Sequence, residues 1–207
     1  MVDNLIKNYP VLEVCRKDIS DAFELLRFTY DHQGLVLACG NGGSAADAEH
    51  MVAELMKTFN LERPLPENLR RDFIREFGDE GTWLAKNLQC SLKAISLVSQ
   101  TSLATAIGND VSADLIFAQQ VIGYGQPGDL LFAISTSGNS HNILNAVYTA
   151  RVMELKVIGL TGRTGGKMKK HCDATICVPA DDTPRIQELH MPVYHTLCAM
   201  LEKHFFG

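Results

Sequence analysis

His50 and Glu54 stand four residues apart, so on a helix they share one face, where an imidazole and a carboxylate can exchange a proton or hold one metal ion. Further along, Arg185-Ile186-Gln187-Glu188-Leu189-His190 precedes His195, a second set of groups able to bind an anion or move a proton. A histidine on a helix can equally be a satisfied structural residue. What favours chemistry is the neighbourhood of His50, which follows Gly40-Asn41-Gly42-Gly43-Ser44 by six residues, and that loop follows the apolar run Leu35-Val36-Leu37-Ala38-Cys39. A second junction of this kind, Ser135-Thr136-Ser137-Gly138-Asn139-Ser140, follows Asp129-Leu130-Leu131-Phe132-Ala133-Ile134. Turns of this composition present backbone N–H groups and hydroxyls at helix N-termini, where an anion can be held. Either loop alone could be an ordinary helix N-cap. The pair reads as a phosphate cradle, and a phosphorylated small molecule is the expected ligand.

Elements able to position these loops alternate along the chain. Short apolar runs bounded by Gly, Pro or Asp predict strands at 35–39, 94–98, 130–134, 156–160 and 174–178. Between them, helices are expected at 44–58, 112–122 and 140–153, with a first amphipathic helix at 11–30 and a closing one at 185–205. Continuous apolar strands separated by helices imply a parallel sheet covered on both faces, a doubly wound α/β fold. Ligands of such sheets sit outside the carboxyl ends of the strands, where both Gly/Ser loops fall. Residues 63–93 break the alternation. Arg63-Pro64-Leu65-Pro66 stops a helix, and Asn68 to Leu92 then reads as one or two amphipathic helices carrying Leu69, Phe73, Phe77, Trp83, Leu84 and Leu88. Arg70, Arg71 and Arg75 read there as a solvated face, with a lid or an interface as the alternative.

A chain of 207 residues fits one domain spanning 1–207 with a substantial core. With 46% hydrophobic residues, 21% charged and a formal net charge of −5, it is an ordinary globular composition whose mild acidity argues against nucleic acid or an anionic membrane as partner. No apolar run approaches the roughly 18 residues of a membrane span, and Met1-Val2-Asp3-Asn4 lacks the order of a signal peptide, so a cytoplasmic location is expected. The six cysteines, Cys15, Cys39, Cys90, Cys172, Cys177 and Cys198, form no CxxC pair and read as buried reduced thiols.

Taken together, the two Gly/Ser loops, Asp47-Ala48-Glu49-His50 with Glu54, Gly108-Asn109-Asp110, Leu160-Thr161-Gly162 with Gly165-Gly166-Lys167-Met168, and Arg185-Ile186-Gln187-Glu188 with His195 resemble the phosphoheptose isomerases, a family of the sugar isomerase (SIS) fold. The resemblance runs over most of the chain, outside 67–93. It implies a three-layer, flavodoxin-like five-stranded parallel sheet with an N-terminal helix and a helical insertion at about 67–93. It also implies the isomerisation of D-sedoheptulose 7-phosphate to D-glycero-D-manno-heptose 7-phosphate. By that resemblance Glu54 is the base and His195 the acid of an enediol mechanism. Ser44, Ser135, Thr136, Ser137 and Ser140 hold the phosphate; Asn41 and Asp110 meet sugar hydroxyls; Gly42, Gly43, Asn109, Arg185 and Gln187 complete the substrate site. The resemblance further implies zinc on His50, Glu54, Gln187 and His195, and a homotetramer with sites between subunits. Gln187 and His195 lie eight residues apart, about 12 Å along a straight helix, so a kink at Pro192 or a neighbouring subunit is expected to bring them together. Pro184 stands where the family pattern leads us to expect Ala or Asp. The rival reading is a non-catalytic SIS protein that binds a sugar phosphate or a replication-initiator partner, and the joint presence of Glu54 and His195 favours the enzyme.

Overall fold

A computed structural model describes residues 1–207. Its centre is a five-stranded, all-parallel sheet of β1 (Val36–Cys39), β2 (Ala94–Ser96), β3 (Leu130–Ile134), β4 (Lys156–Thr161) and β5 (Ala174–Cys177), in the order β2-β1-β3-β4-β5. Successive side chains of a strand point to opposite faces, and here both faces are buried. Val36, Ala38, Leu130, Phe132 and Ile134 pack on one side with Ile19 and Leu26 of α2 (Arg16–Asp31), Met51 and Leu55 of α3 (Gly43–Met56) and Leu189, Val193 and Leu197 of α8 (Thr183–Phe206). Leu37, Cys39, Leu131 and Ala133 pack on the other side with Phe117 and Val121 of α6 (Ile116–Tyr124) and Ile143 and Val147 of α7 (His141–Val152). Thus α3, leaving β1, and α7, leaving β3, depart to opposite faces of two neighbouring strands. That divergence is the switch point at which doubly wound sheets bind ligands.

The remaining elements differ from the sequence expectation in instructive ways. The 11–30 helix begins as a 3₁₀ segment, Pro10–Cys15, with Pro10 at its first position, and becomes α-helical only at Arg16. The expected helix at 112–122 starts as α6 at Ile116, because Ser112 is extended (φ −169°) and its hydroxyl accepts the Asp114 N–H at 3.2 Å. A π turn, Gly108–Ser112, and a 3₁₀ turn, Ala113–Leu115, precede it. Two short helices, α1 (Val2–Asn8) and α5 (Thr101–Ile107), carry too little periodicity to be foreseen. The insertion forms α4 (Glu67–Asn87), divided at Gly78, whose φ of 57° breaks the helical path. It returns to the sheet through an antiparallel bridge between Pro64 and Gln89. No helix is long and apolar enough to cross a membrane.

Candidate active site

The loops that leave β1 and β3 close around a cavity of about 320 Å³ at the carboxyl end of the sheet. Asn41, Gly42, Gly43 and Ser44 form one wall, Ser135, Thr136 and Ser140 another, and Thr183 and Gln187 from the first turns of α8 a third. Gly42 holds φ 56° and ψ −121°, a conformation that only glycine adopts readily, and so turns the chain from strand into helix. A Cβ on Gly43 would lie 2.4 Å from Gln187 Nε2, so this position must also lack a side chain for Gln187 to reach in. Three helices, α3, α7 and α8, begin at this cavity with Gly42, Ser140 and Asp182 as their N-caps. Each directs the positive end of its dipole there, a contribution of about 0.3–1 kcal/mol per helix toward a bound anion. The Ser135 and Ser140 hydroxyls lie 3.2 Å apart, while Asn41 and Asn142 exchange two amide hydrogen bonds of 2.8 and 2.9 Å that tie the two loops together.

Two turns into α3, on one face, stand His50 and Glu54, with His50 Nε2 3.3 Å from Glu54 Oε1. Across from them on α8, the ring of Tyr194 lies edge-on to His50, and its hydroxyl meets His50 Nδ1 at 3.0 Å and Asp47 Oδ1 at 3.3 Å. An ionised Asp47 can only accept, so Tyr194 donates its hydrogen to Asp47 and receives one from His50 Nδ1. With Nδ1 so engaged, Nε2 is the His50 nitrogen that faces the Glu54 carboxylate. The His195 ring stands edge-on to His50 at 4.8 Å between centroids and tilted against Phe59 at 5.4 Å. Its Nε2 is buried without a hydrogen-bond partner. Burial first, and the neighbouring His50 second, hold the His195 pKa below the ordinary 6.5, with Glu54 pulling the other way. Burial also raises Asp47, which the Tyr194 hydrogen bond partly offsets.

A model of the SIS domain matches residues 9–72 and 82–162, passing over only a short stretch inside α4. A phosphoheptose isomerase of Helicobacter pylori (strain ATCC 700392 / 26695) is 41% identical over 99% of this chain and 98% of its own length. The phosphoheptose isomerase of Thiobacillus denitrificans is 38% identical over 99% of this chain and 96% of its own. The chain belongs to the phosphoheptose isomerase family of SIS-domain proteins. Solved structures agree: the phosphoheptose isomerase of Neisseria gonorrhoeae superposes with a TM-score of 0.76 at 34% identity, covering 97% of this chain and 94% of that one. That of Francisella tularensis gives 0.78 at 31% over the same shares.

Within this SIS domain, not every residue named from the family pattern lines the cavity. Ser137 is exposed, and its hydroxyl accepts the Asn139 N–H at 3.1 Å. Asn109 and Asp110 sit in the π turn before α6, bonded to each other at 2.8 Å and exposed. Arg185 is exposed and paired with Glu188 at 2.7 Å. Gln187 faces the cavity between the two loops, whereas His195 lines a second hollow of about 490 Å³ with Phe59, Asn60 and Pro192. α8 runs through Pro192 as one helix, so the two stay on separate turns. Asn142, Thr183, Tyr194 and Asp47 are the site residues that sequence reasoning misses as site residues. Asp47 stands in the motif Asp47-Ala48-Glu49-His50, the one signal the sequence offers for any of them.

Proposed function

We propose that the chain interconverts D-sedoheptulose 7-phosphate and D-glycero-D-manno-heptose 7-phosphate through an enediol. The observation that carries this is the placement of Glu54 and His195 on two helices, α3 and α8, that also wall the anion cavity. The Ser44, Ser135, Thr136 and Ser140 hydroxyls and three helix N-termini would hold the phosphate, leaving the carbonyl end of the sugar to extend along α3 and α8. Glu54 would take the proton from C1 while His195 gives one to the C2 oxygen. The steps then reverse at the neighbouring carbon: Glu54 returns its proton to C2 and His195 recovers the proton of the C1 oxygen. An imidazole held neutral can serve both turns, because one nitrogen carries a hydrogen while the other is free to receive one.

His50, Glu54 and His195 are a nitrogen and oxygen donor set suited to zinc, and the partnerless Nε2 of His195 together with His50 Nε2 facing Glu54 fits such an ion. No three His, Cys, Asp or Glu side chains are yet gathered at ligating distance. We hold zinc on His50, Glu54, Gln187 and His195 as part of this proposal; when bound it would polarise the substrate's oxygens. A homotetramer is likewise proposed. Exposed apolar side chains on α4, Phe77 and Trp83 at 59% and 65%, support it.

The test is turnover of sedoheptulose 7-phosphate beside fructose 6-phosphate, followed by NMR, with light scattering for the assembly. Glu54→Gln is expected to lower kcat by about 100-fold to 10,000-fold while inorganic phosphate still binds, since the base is removed and the cradle is left intact. Loss of phosphate binding together with turnover would overturn the assigned role.

A further inference from the structure

Arg63 and Glu202 form an ion pair, 2.9 Å from Nε to Oε1, with both side chains buried, and neither belongs to the reacting groups described above. A buried pair is weak evidence for stability in itself, so the other bonds it makes deserve the reading. Arg63 donates to the backbone carbonyls of Leu55 at 2.7 Å and Glu54 at 3.0 Å. These are carbonyls of the last turn of α3, which lack intrahelical partners, and a cation there also meets the negative end of the helix dipole. Glu202 accepts the N–H groups of Phe59 at 2.8 Å and Asn60 at 2.7 Å, and that of Leu61 at 3.1 Å, fixing the loop whose Phe59 ring lies against His195. Glu202 stands two turns beyond His195, on the same face of α8.

We infer that the Arg63–Glu202 pair is a positioning device for catalysis: it clamps the α3 turn bearing Glu54 to the α8 helix bearing His195 and seats Phe59 against the His195 ring. The inference rests on the isomerase reading above. Base and acid arrive from different helices, and the other polar links between α3 and α8, Tyr194 with Asp47 and His50 and the Cys198 thiol 4.0 Å from the Met51 carbonyl, lie nearer the start of α3 than the turn Arg63 holds. A displacement of about 1 Å between reacting groups lowers rate by roughly 100-fold, whereas phosphate affinity is set at the far end of both helices.

The test compares the wild-type chain with Arg63→Lys, Glu202→Gln and the double variant Arg63→Met/Glu202→Leu, each assayed well below its own Tm. Arg63→Lys keeps the charge but loses the fork of hydrogen bonds, whereas Glu202→Gln strands the buried Arg63 charge and can unfold the chain; an apolar pair of similar volume restores stability in such sites. The double variant is expected to keep a wild-type Tm while its kcat falls about tenfold to 100-fold, with KM for sedoheptulose 7-phosphate changed by less than about threefold. Those single variants that fold should show the same split. A double variant whose kcat returns with its Tm would overturn the inference and leave the pair a purely structural one. Equally, a rise in KM at unchanged kcat would overturn it. A wild-type chain without turnover would instead overturn the isomerase reading, and this inference with it.

Discussion

His190 sits on α8 between Gln187 and His195, fully buried, and neither ring nitrogen makes a well-formed hydrogen bond, the Thr161 backbone giving only a weak one. Burial drives its pKa from 6.5 down to about 4, and the backbone of Thr161 offsets only part of that. The folded chain therefore refuses a proton that the unfolded chain accepts below pH 6.5. Stability is complete above 6.5 and drains away as the pH falls toward about 4. At 1.36 kcal/mol per pH unit, the fall from 6.5 to about 4 amounts to about 3 kcal/mol. His190→Leu removes both the titrating group and two poorly satisfied nitrogens, a change that is close to neutral or stabilising at neutral pH. Urea unfolding at one fixed protein concentration, from neutral pH down to about pH 4, should show the variant keeping about 3 kcal/mol that the parent loses. Parallel stability profiles for the two proteins would refute the reasoning, because the slope would then belong to other groups.

Further expectations follow from the site. His195 is held below pH 6.5, so kcat/KM should stay level from neutral pH through 6.5 and fall only on the acid side of it; an acid limb centred at or above 6.5 would be the wrong result. Gly43→Ala would set a Cβ 2.4 Å from Gln187 Nε2 and push that flexible side chain out of the cradle. Calorimetry with inorganic phosphate should record a loss of affinity of about tenfold at near-constant Tm, the worth of one hydrogen bond, and an unchanged Kd would show that the Gln187 wall of the cavity does not contribute to anion binding. Tyr194→Phe removes the hydroxyl that orients His50 and should lower zinc affinity by about tenfold to 100-fold in a direct metal titration; equal affinities would remove Tyr194 from that role.

The strands are legible because each is a short apolar run buried on both faces, a pattern set by local residue types alone: 130–134 is expected and Leu130–Ile134 is found. The Gly/Ser loops are legible for the same reason, since Gly42 and Ser140 announce helix starts by their chemistry. Asn142 is not legible, because its partner Asn41 lies 101 residues away and only the folded sheet brings them together. Arg63 reads as part of a helix stop and nothing in the sequence singles out Glu202; their pairing across 139 residues appears only in three dimensions. Asn109 and Asp110 carry a recognisable motif but sit in a π turn outside the cavity, a displacement that residue types do not encode.

The placement of the two loops on adjoining central strands divides the molecule into a part built to grip and a part built to react. The gripping loops are anchored to β1 and β3, strands with neighbours on both sides, where any shift would disturb the sheet itself. Under the proposed function the reacting groups lie further out, on later turns of α3 and α8 with the loop 59–61 against them. A scaffold so divided would hold the anion by parts of the sheet that cannot move, while the chemistry is aligned by helices that can be tuned separately.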